Sequence, residues 1–233
     1  MAPYNMLNAK TKIKDFIELK FTGYVDGKVF DSNIEEDLKK ISPESKSEKT
    51  IICIGEQMVV PGLDKILEDK EINKEYEVNI PYKEGFGKKH RELIKTIPLK
   101  FFTSQKISPY PGASLLLDNQ LARVITVSGA RVLTDFNNPL AGKDLRYKFI
   151  IIRILVEDKE KIESLFKFIL RFVPEFEIKI DKVIVHGPQI LENFILLYKQ
   201  KFSDLFGKDL EFKIKESKKE EISAASNSNN SPA

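Results

Sequence analysis

Two short stretches of the sequence carry the side chains that could do chemistry. Residues 21–31 predict a strand, a tight Asp-Gly turn and a return strand in which Phe30 stands beside Asp31. Residues 57–63 are a mostly apolar run that opens a helix at a Pro-Gly pair. Together they predict two walls of an apolar pocket with one acid at its rim. No ordinary catalytic constellation elsewhere in the chain competes with this pair.

Such a pocket suits a reaction that needs no nucleophile, namely rotation about the peptide bond that precedes a proline. Rotation faces a barrier of about 18–20 kcal/mol because amide resonance is lost in the twisted state, and uncatalysed exchange takes roughly 10–100 s. A protein can favour the twisted state by holding the proline in an apolar pocket and stabilising the rotated carbonyl. Asp31 need not be a general base: it would either orient a neighbouring side chain or interact with the twisted carbonyl.

The composition allows one to three packed domains and argues against several kinds of site. The chain has 233 residues, of which 42% are hydrophobic and 31% charged, and its net charge of +3 gives no whole-chain argument for nucleic acid. Cys53 is the only cysteine, so an intrachain disulfide is excluded and a buried small hydrophobe is the simplest interpretation. His90 and His186 are far apart in the sequence and predict no histidine-rich metal site, and we expect no cofactor.

The sequence also argues against a membrane protein. No apolar run approaches the roughly 20 residues that span a bilayer. Residues 1–14 are polar and lack the apolar core of a signal peptide. We therefore expect a cytoplasmic protein with no membrane partner.

The elements that would position the pocket belong to a first, discontinuous domain, residues 1–87 plus 144–157. Alternating apolar and polar residues predict half-buried strands, and a long apolar run predicts a last strand that is covered on both faces. The predicted strands are 15–21, 51–54, 75–81 and 145–156, and a short helix begins at residue 62.

Residues 88–143 interrupt this pattern and predict a small inserted β domain. Structureless loops beyond about 12–15 residues are uncommon in compact domains, and this segment has strand patterns and turns of its own. The predicted strands are 113–117, 122–128 and 130–136.

Residues 158–216 predict a third, compact α+β domain, and residues 217–233 have the composition of a disordered tail. Helices are marked by apolar residues at helical spacing, and the second helix is framed by a proline and a glycine. The predicted elements are a helix at 158–172, one or two strands at 177–185, a helix from Pro188 to about Gly207 and a strand at 210–214.

Residues 15–155 resemble an FKBP-type peptidyl-prolyl isomerase of the SlyD kind with an insert-in-flap domain. Five motifs in the family's order carry the resemblance, and the last is similar to the Asn-His-x-Leu-Ala-Gly segment that closes the insert in that family, with Asn138 in place of the histidine. The third domain resembles the C-terminal domain of the long archaeal members. The motifs are Phe-Thr-Gly-Tyr at 21–24, Asp-Gly-Lys-Val-Phe-Asp at 26–31, Gln-Met-Val-Val-Pro-Gly-Leu at 57–63, Ile-Pro-Tyr-Lys-Glu-Gly-Phe-Gly at 80–87 and Asn-Asn-Pro-Leu-Ala-Gly-Lys at 137–143.

The resemblance implies an α+β fold: an FKBP-type antiparallel sheet wrapped on a short helix, an inserted small β domain and a C-terminal α+β domain. Phe21 and Phe86 stand where the family usually has tyrosine, and Tyr147 stands where it usually has phenylalanine. The implied catalytic residues are Asp31, Phe30, Phe21, Phe86 and Tyr147, and the implied substrate-binding residues of the pocket are Val59, Val60 and Leu63.

The start of the insert combines basic and apolar side chains in a pattern that could bind a partner. Six basic side chains lie between residues 88 and 111 against one acid, Glu92, and apolar side chains are interleaved with them. They form either a solvated basic face over a small core or an apolar groove with a basic rim that holds unfolded polypeptide. The resemblance favours the groove, because the insert-in-flap domain of such proteins binds unfolded chains. The implied client-binding residues are Leu93, Ile97, Phe101 and Phe102.

The sequence therefore predicts a peptidyl-prolyl cis-trans isomerase that is also a folding chaperone, with unfolded or partly folded polypeptides containing X-Pro bonds as partners. The apolar stripe of the third domain would be core or, where exposed, a surface for homodimer formation or client binding. The first alternative is a non-catalytic holdase or assembly module that retains the FKBP fold. The weaker alternative is a ribosome- or RNA-associated factor that uses the basic insert, although charge alone is weak evidence for nucleic-acid binding.

Overall fold

The first strand shows how the alternation in the sequence becomes a sheet. In the computed structural model, which describes residues 10–215, Ile17, Leu19 and Phe21 are buried on one face of this strand. The intervening Lys20 is exposed on the other face. The two-residue period of the apolar side chains thus fixes which face of the sheet is covered.

The described residues form twelve strands and six α-helices, which make up two compact units divided between Val156 and Glu157. This combination of mainly antiparallel sheets and helices confirms the predicted α+β class. The strands are β1 (Phe16–Val25), β2 (Lys28–Ser32), β3 (Thr50–Cys53), β4 (Glu75–Ile80), β5 (Ile94–Pro98), β6 (Ser114–Leu117), β7 (Gln120–Ser128), β8 (Arg131–Asp135), β9 (Leu145–Ile154), β10 (Glu175–Ile178), β11 (Lys182–Gly187) and β12 (Asp209–Ile214). The helices are α1 (Glu35–Ile41), α2 (Pro61–Ile66), α3 (Leu99–Ser104), α4 (Asp158–Leu170), α5 (Glu192–Leu196) and α6 (Lys199–Phe206).

The first sheet has five antiparallel strands in the order β2-β1-β9-β4, and β3 pairs with the first part of β1. Helix α2 packs on its buried face through Leu63, which belongs to the same hydrophobic core as β1 and β9. Gly62 makes this close approach possible, because a Cβ atom there would lie 2.5 Å from Cγ2 of Ile80. Pro61 begins the helix, a position where its missing N–H removes no helical hydrogen bond.

The insert contains a second sheet, with the antiparallel order β5-β8-β7-β6. Helix α3 covers one face of this sheet through Phe102, which is fully buried in a small core with Ala113, Leu117 and Val132. The strands predicted at 113–117, 122–128 and 130–136 correspond to β6, β7 and β8. Strand β5 and helix α3 were not predicted, because a strand that ends at a proline and runs directly into a short helix leaves no clear periodicity.

The two chain segments that enter and leave the insert are joined to each other by polar contacts. The Asn137 side chain accepts a hydrogen bond from the backbone N–H of His90 (2.8 Å) and donates to its carbonyl (3.0 Å). The backbone N–H of Gly142 donates to the carbonyl of Gly87 (2.7 Å). The closing motif at 137–143 therefore ties the insert to the rest of the first unit at its base.

The second unit is built on a three-stranded sheet of order β10-β11-β12, in which β11 and β12 run parallel. Val183, Ile184 and Val185 of β11 are all buried, as expected for a central strand covered on both faces. The predicted single helix from Pro188 to Gly207 is wrong: the segment forms a 3₁₀ turn followed by α5 and α6. The chain tightens at the junction of α5 and α6, where the N–H of Tyr198 bonds to the carbonyl three residues earlier, a local change that side-chain periodicity does not reveal.

Two further expectations concern the ends of the chain and the membrane. Within residues 10–215, no helix combines the length and the apolar character needed to cross a bilayer. The polar N-terminus and the tail predicted at 217–233 fall largely or wholly outside the described residues.

Candidate active site

A β-bulge in the hairpin of β1 and β2 turns two consecutive side chains toward the same place. Gly23 pairs with Asp31, but the next residue of β1 pairs with Val29, so Phe30 is an extra residue of β2. Neighbouring residues of a regular strand point to opposite faces, and a bulge re-aims the side chains around it. As a result, Phe30 meets the ring of Tyr147 while Asp31 lines a cavity beside that ring.

The opposite wall comes from the loop before α2, which a buried carboxylate holds in place. Asp64 is 4% exposed, and its two oxygens accept hydrogen bonds from the backbone N–H groups of Gly55 (3.0 Å) and Gln57 (3.0 Å). These charge-assisted bonds fix the loop that presents Val59 and Val60 to the cavity. Asp64 was not predicted from the sequence, where it is only an acid in the first turn of a short helix, a position that the helix dipole also favours.

Between these walls lies a cavity of about 400 Å³, which is within the usual size range of small-molecule sites. The structure brings together six of the residues that the sequence predicted for the pocket and adds Thr50 and Met58. Met58 lies inside the apolar run at 57–63, whereas Thr50, the first residue of β3, gave no signal. The lining residues are Phe21, Asp31, Thr50, Met58, Val59, Val60, Leu63 and Tyr147.

The two remaining predicted residues, Phe30 and Phe86, pack beside the cavity in an aromatic wall. The rings of Phe30 and Phe86 meet nearly at right angles with centroids 6.1 Å apart, and the ring of Phe21 lies 6.1 Å from that of Tyr147. The edge-to-face arrangement of Phe30 and Phe86 is of the kind that contributes about 0.5–1.5 kcal/mol beyond the burial of the ring area. The wall is therefore held by ring contacts as well as by the sheet.

Loss of hydration shifts the pKa values of two titratable side chains of the cavity, Asp31 and Tyr147. Loss of hydration raises the pKa of the Asp31 carboxyl even though the residue is exposed at the rim, and a hydrogen bond from the backbone N–H of Ser32 opposes this shift. Burial also raises the pKa of the Tyr147 hydroxyl, and the negative charge of Asp31 adds to the effect. The pocket thus combines one carboxylate with a phenol that stays protonated. No group of three or more His, Cys, Asp or Glu side chains in the described part of the chain could hold a metal ion.

The four residues predicted to bind clients lie in the insert and do not line this cavity. Leu93, Ile97 and Phe101 are half-buried, whereas Phe102 has no exposed surface. A fully buried side chain offers nothing to a partner, so the structure assigns Phe102 to the core of the insert rather than to a binding surface.

Two family models match the part of the chain that contains the cavity and the insert. A family model described as FKBP-type peptidyl-prolyl cis-trans isomerase matches residues 8–102, and a model described as FKBP26, IF domain matches residues 95–140.

Three relatives extend this similarity to individual proteins. A short-type peptidyl-prolyl cis-trans isomerase from Methanocaldococcus jannaschii is 31% identical over 153 residues, which cover 64% of this chain and 94% of the relative. The SlyD isomerase of Haemophilus influenzae is 29% identical over 103 residues, covering 42% of this chain and 53% of the relative. The SlyD isomerase of Helicobacter pylori is 27% identical over 139 residues, covering 58% and 68%. With the archaeal relative matched over nearly its whole length, the chain belongs to the family of FKBP-type peptidyl-prolyl cis-trans isomerases.

Proposed function

We propose that this isomerase works in the cavity between the β1–β2 hairpin, β9 and α2, and that its insert holds unfolded polypeptide so that prolines reach that cavity. The observation that carries the first part is the cavity itself, an apolar site of about 400 Å³ with a single carboxylate in its lining. A proline ring needs apolar walls, and the rotating amide needs a polar group beside it.

In this proposal Phe21, Val59 and Val60 surround the proline ring and Leu63 forms the floor of the site. Each is a lining residue, and all belong to or pack against one core, so the pocket is preformed. Apolar walls exclude water from the amide and strengthen electrostatic interactions with it. Asp31 then acts through its charge at the rim, and no covalent bond to the enzyme forms or breaks.

The second part rests on the face of the insert sheet that α3 does not cover. Leu116 of β6 pairs directly with Leu121 of β7, and these side chains are 67% and 53% exposed. Ile125, the extra residue of a bulge in β7, is also exposed. We call these three side chains the outer apolar row. Exposed apolar side chains that lie directly opposite each other, as Leu116 and Leu121 do, are a common mark of an interaction surface.

The backbone and the charge beside this row suit one kind of partner. Strand β6 is at an edge of its sheet, so its outward N–H and C=O groups can pair with an added extended strand. Residues 88–143 contain nine lysines and arginines against three acids, a net charge of +6, whereas the whole chain has +3. An extended, apolar polypeptide segment with acidic residues beside it complements this surface.

The outer apolar row replaces part of the client-binding set that the sequence predicts. Phe102 is core, and Leu93, Ile97 and Phe101 expose only part of their surface. The outer apolar row offers more accessible apolar area next to an open strand edge. A bound chain is then held near the pocket, which raises the effective concentration of its prolines there.

Replacing Leu116 and Leu121 by serine tests the chaperone part. Both side chains are exposed, so the double variant should fold, but its affinity for a permanently unfolded protein should fall on the order of 10-fold, since about 1.4 kcal/mol of apolar contact is lost. Its isomerisation of a short prolyl peptide should not change. The matched control is Ile180→Ser with Ile190→Ser, which removes two aliphatic side chains that are 96% and 85% exposed in the second unit.

A second variant, in which a short linker replaces residues 88–143, should keep the peptide activity and lose its acceleration of protein refolding. Unchanged binding of unfolded protein by the serine variant would exclude the outer apolar row as the client site. Binding of unfolded protein by a wild-type chain that does not accelerate peptide isomerisation would instead identify a non-catalytic holdase.

A further inference from the structure

The lining of the cavity contains a hydroxyl group in an unexpected place. Three lining side chains carry polar groups, namely Asp31, Thr50 and Tyr147, and the rest are hydrocarbon or thioether. Phe21 has no hydroxyl, and the ring that faces it at 6.1 Å is that of Tyr147. Of this aromatic pair, Tyr147 is therefore the member that brings a hydrogen-bonding group to the cavity.

Gly23 explains how Tyr147 reaches the carboxylate side of the site. Strand β1 lies between β2 and β9, and Gly23 pairs with Asp31 on one side and with Tyr147 on the other. Because Gly23 has no side chain, the Tyr147 ring can pack directly against its backbone. A Cβ atom at Gly23 would lie only 3.0 Å from Cε1 of Tyr147. Phe30 closes against this ring at a centroid distance of 5.8 Å.

The same environment fixes the protonation state of the group. Tyr147 is 4% exposed, and burial and the nearby Asp31 charge both raise the pKa of its hydroxyl. A phenol in its neutral form has an O–H donor, whereas an ionised carboxylate can only accept. The cavity therefore offers an acceptor on Asp31 and a donor on Tyr147.

We propose that the Tyr147 hydroxyl is a hydrogen-bond donor that this pocket presents to the rotating amide, a role beyond that of an apolar wall. The inference rests on the cavity being the isomerase site. As the amide twists, resonance is lost and the lone pair returns to the proline nitrogen, which becomes a better acceptor. A donor placed there stabilises the twisted state more than the planar state, and only such a difference accelerates rotation. No proton is transferred and no covalent bond is made or broken.

The variant Tyr147→Phe tests this role, because it removes one oxygen atom and keeps the ring contacts. We expect kcat/KM for a prolyl peptide to fall about 10-fold, the value of one well-placed neutral hydrogen bond. Affinity for a non-isomerising proline ligand should stay within about twofold of wild type, since the planar state gains little from the donor. The matched control is Tyr24→Phe, which removes a hydroxyl from β1 outside this cavity and should leave the rate unchanged.

A rescue separates a hydrogen-bonding role from a packing role. Adding Phe21→Tyr to Tyr147→Phe returns a hydroxyl to the other ring of the facing pair and should restore much of the lost activity. A Tyr147→Phe variant as active as wild type would refute the role of Tyr147 while leaving the isomerase site intact. Equal losses of rate and ligand affinity without rescue would also refute it. A wild-type chain without prolyl isomerase activity would refute the proposed site itself, and the inference with it.

Discussion

The rings of Phe30 and Tyr147 meet edge to face, with centroids 5.8 Å apart, over the position of Gly23. A Cβ atom at Gly23 would lie 2.8 Å from Cζ of Phe30 and 3.0 Å from Cε1 of Tyr147. One wall of the pocket therefore depends on a missing side chain in the middle strand of three.

Gly23→Ala should disturb this wall. The added methyl group overlaps both rings, so we expect a loss of about 1–3 kcal/mol in the free energy of unfolding, as is typical of overpacking, together with reduced isomerase activity. Urea unfolding and a prolyl-peptide assay measure the two effects.

The background variant Phe30→Ala provides the control, because it removes one of the overlapping rings. The cost of Gly23→Ala should be smaller in that background, a non-additive result expected for residues in contact. Strictly additive costs would show that the two positions do not share this space.

Asp31→Asn should lower the isomerase activity and raise the stability of the fold at pH 7. The folded state raises the pKa of Asp31, so folding favours its protonated form. Protonated Asp31 therefore contributes to the free energy of unfolding. This contribution is fully present below the ordinary aspartate pKa and is lost as the pH rises through the higher pKa of the folded state. At pH 7 the ionised carboxylate therefore costs stability, which a neutral asparagine avoids.

Thermal melts of both proteins at several pH values test this expectation. Asp31→Asn should have the higher Tm at pH 7, and its advantage should shrink as the pH falls toward about 4. Its isomerase activity should be lower than that of wild type. An advantage that grows on acidification would contradict the assigned direction of the pKa shift.

Asp64→Ala should loosen the wall formed by the loop before α2. The substitution leaves the N–H groups of Gly55 and Gln57 without their acceptor, and a lost hydrogen bond to a buried charge costs about 1.5–3 kcal/mol. We expect lower stability and weaker binding of a proline ligand, measured by urea unfolding and calorimetry. Asp64→Asn keeps one acceptor oxygen and should lie between wild type and alanine; an alanine variant with wild-type ligand affinity would show that the loop does not need this carboxylate.

Much of the pocket could be predicted from the sequence because its residues lie in short runs with strong local signals. The Asp-Gly turn fixes the hairpin that ends in Phe30 and Asp31, and the run at 57–63 supplies Val59 and Val60. The side-by-side arrangement of Phe30 and Asp31 was not predictable from a period of two, because a bulge breaks that period. Asp64 was missed because its role depends on backbone N–H groups seven and nine residues earlier.

The insert shows a different limit of prediction from sequence. Its strands β6, β7 and β8 can be predicted from alternation and turn residues. Which of its apolar side chains are buried, however, depends on which face of the sheet a short helix covers. Phe102 and Leu116 are both large and apolar, yet the first is inside and the second is outside. Composition alone therefore located an apolar, basic region without identifying its exposed side chains.

The measurement that tests the central claim most directly is the rate of prolyl-peptide isomerisation by the wild type and by the double variant Asp31→Ala with Phe86→Ala. The matched control is Asp181→Ala with Phe172→Ala, which removes the same residue types from exposed positions of the second unit. We predict that the wild type and the control accelerate isomerisation equally and that the pocket variant loses at least about 10-fold in kcat/KM, or about 1.4 kcal/mol of transition-state stabilisation. A folded pocket variant with the wild-type rate would contradict the assignment of this cavity as the isomerase site.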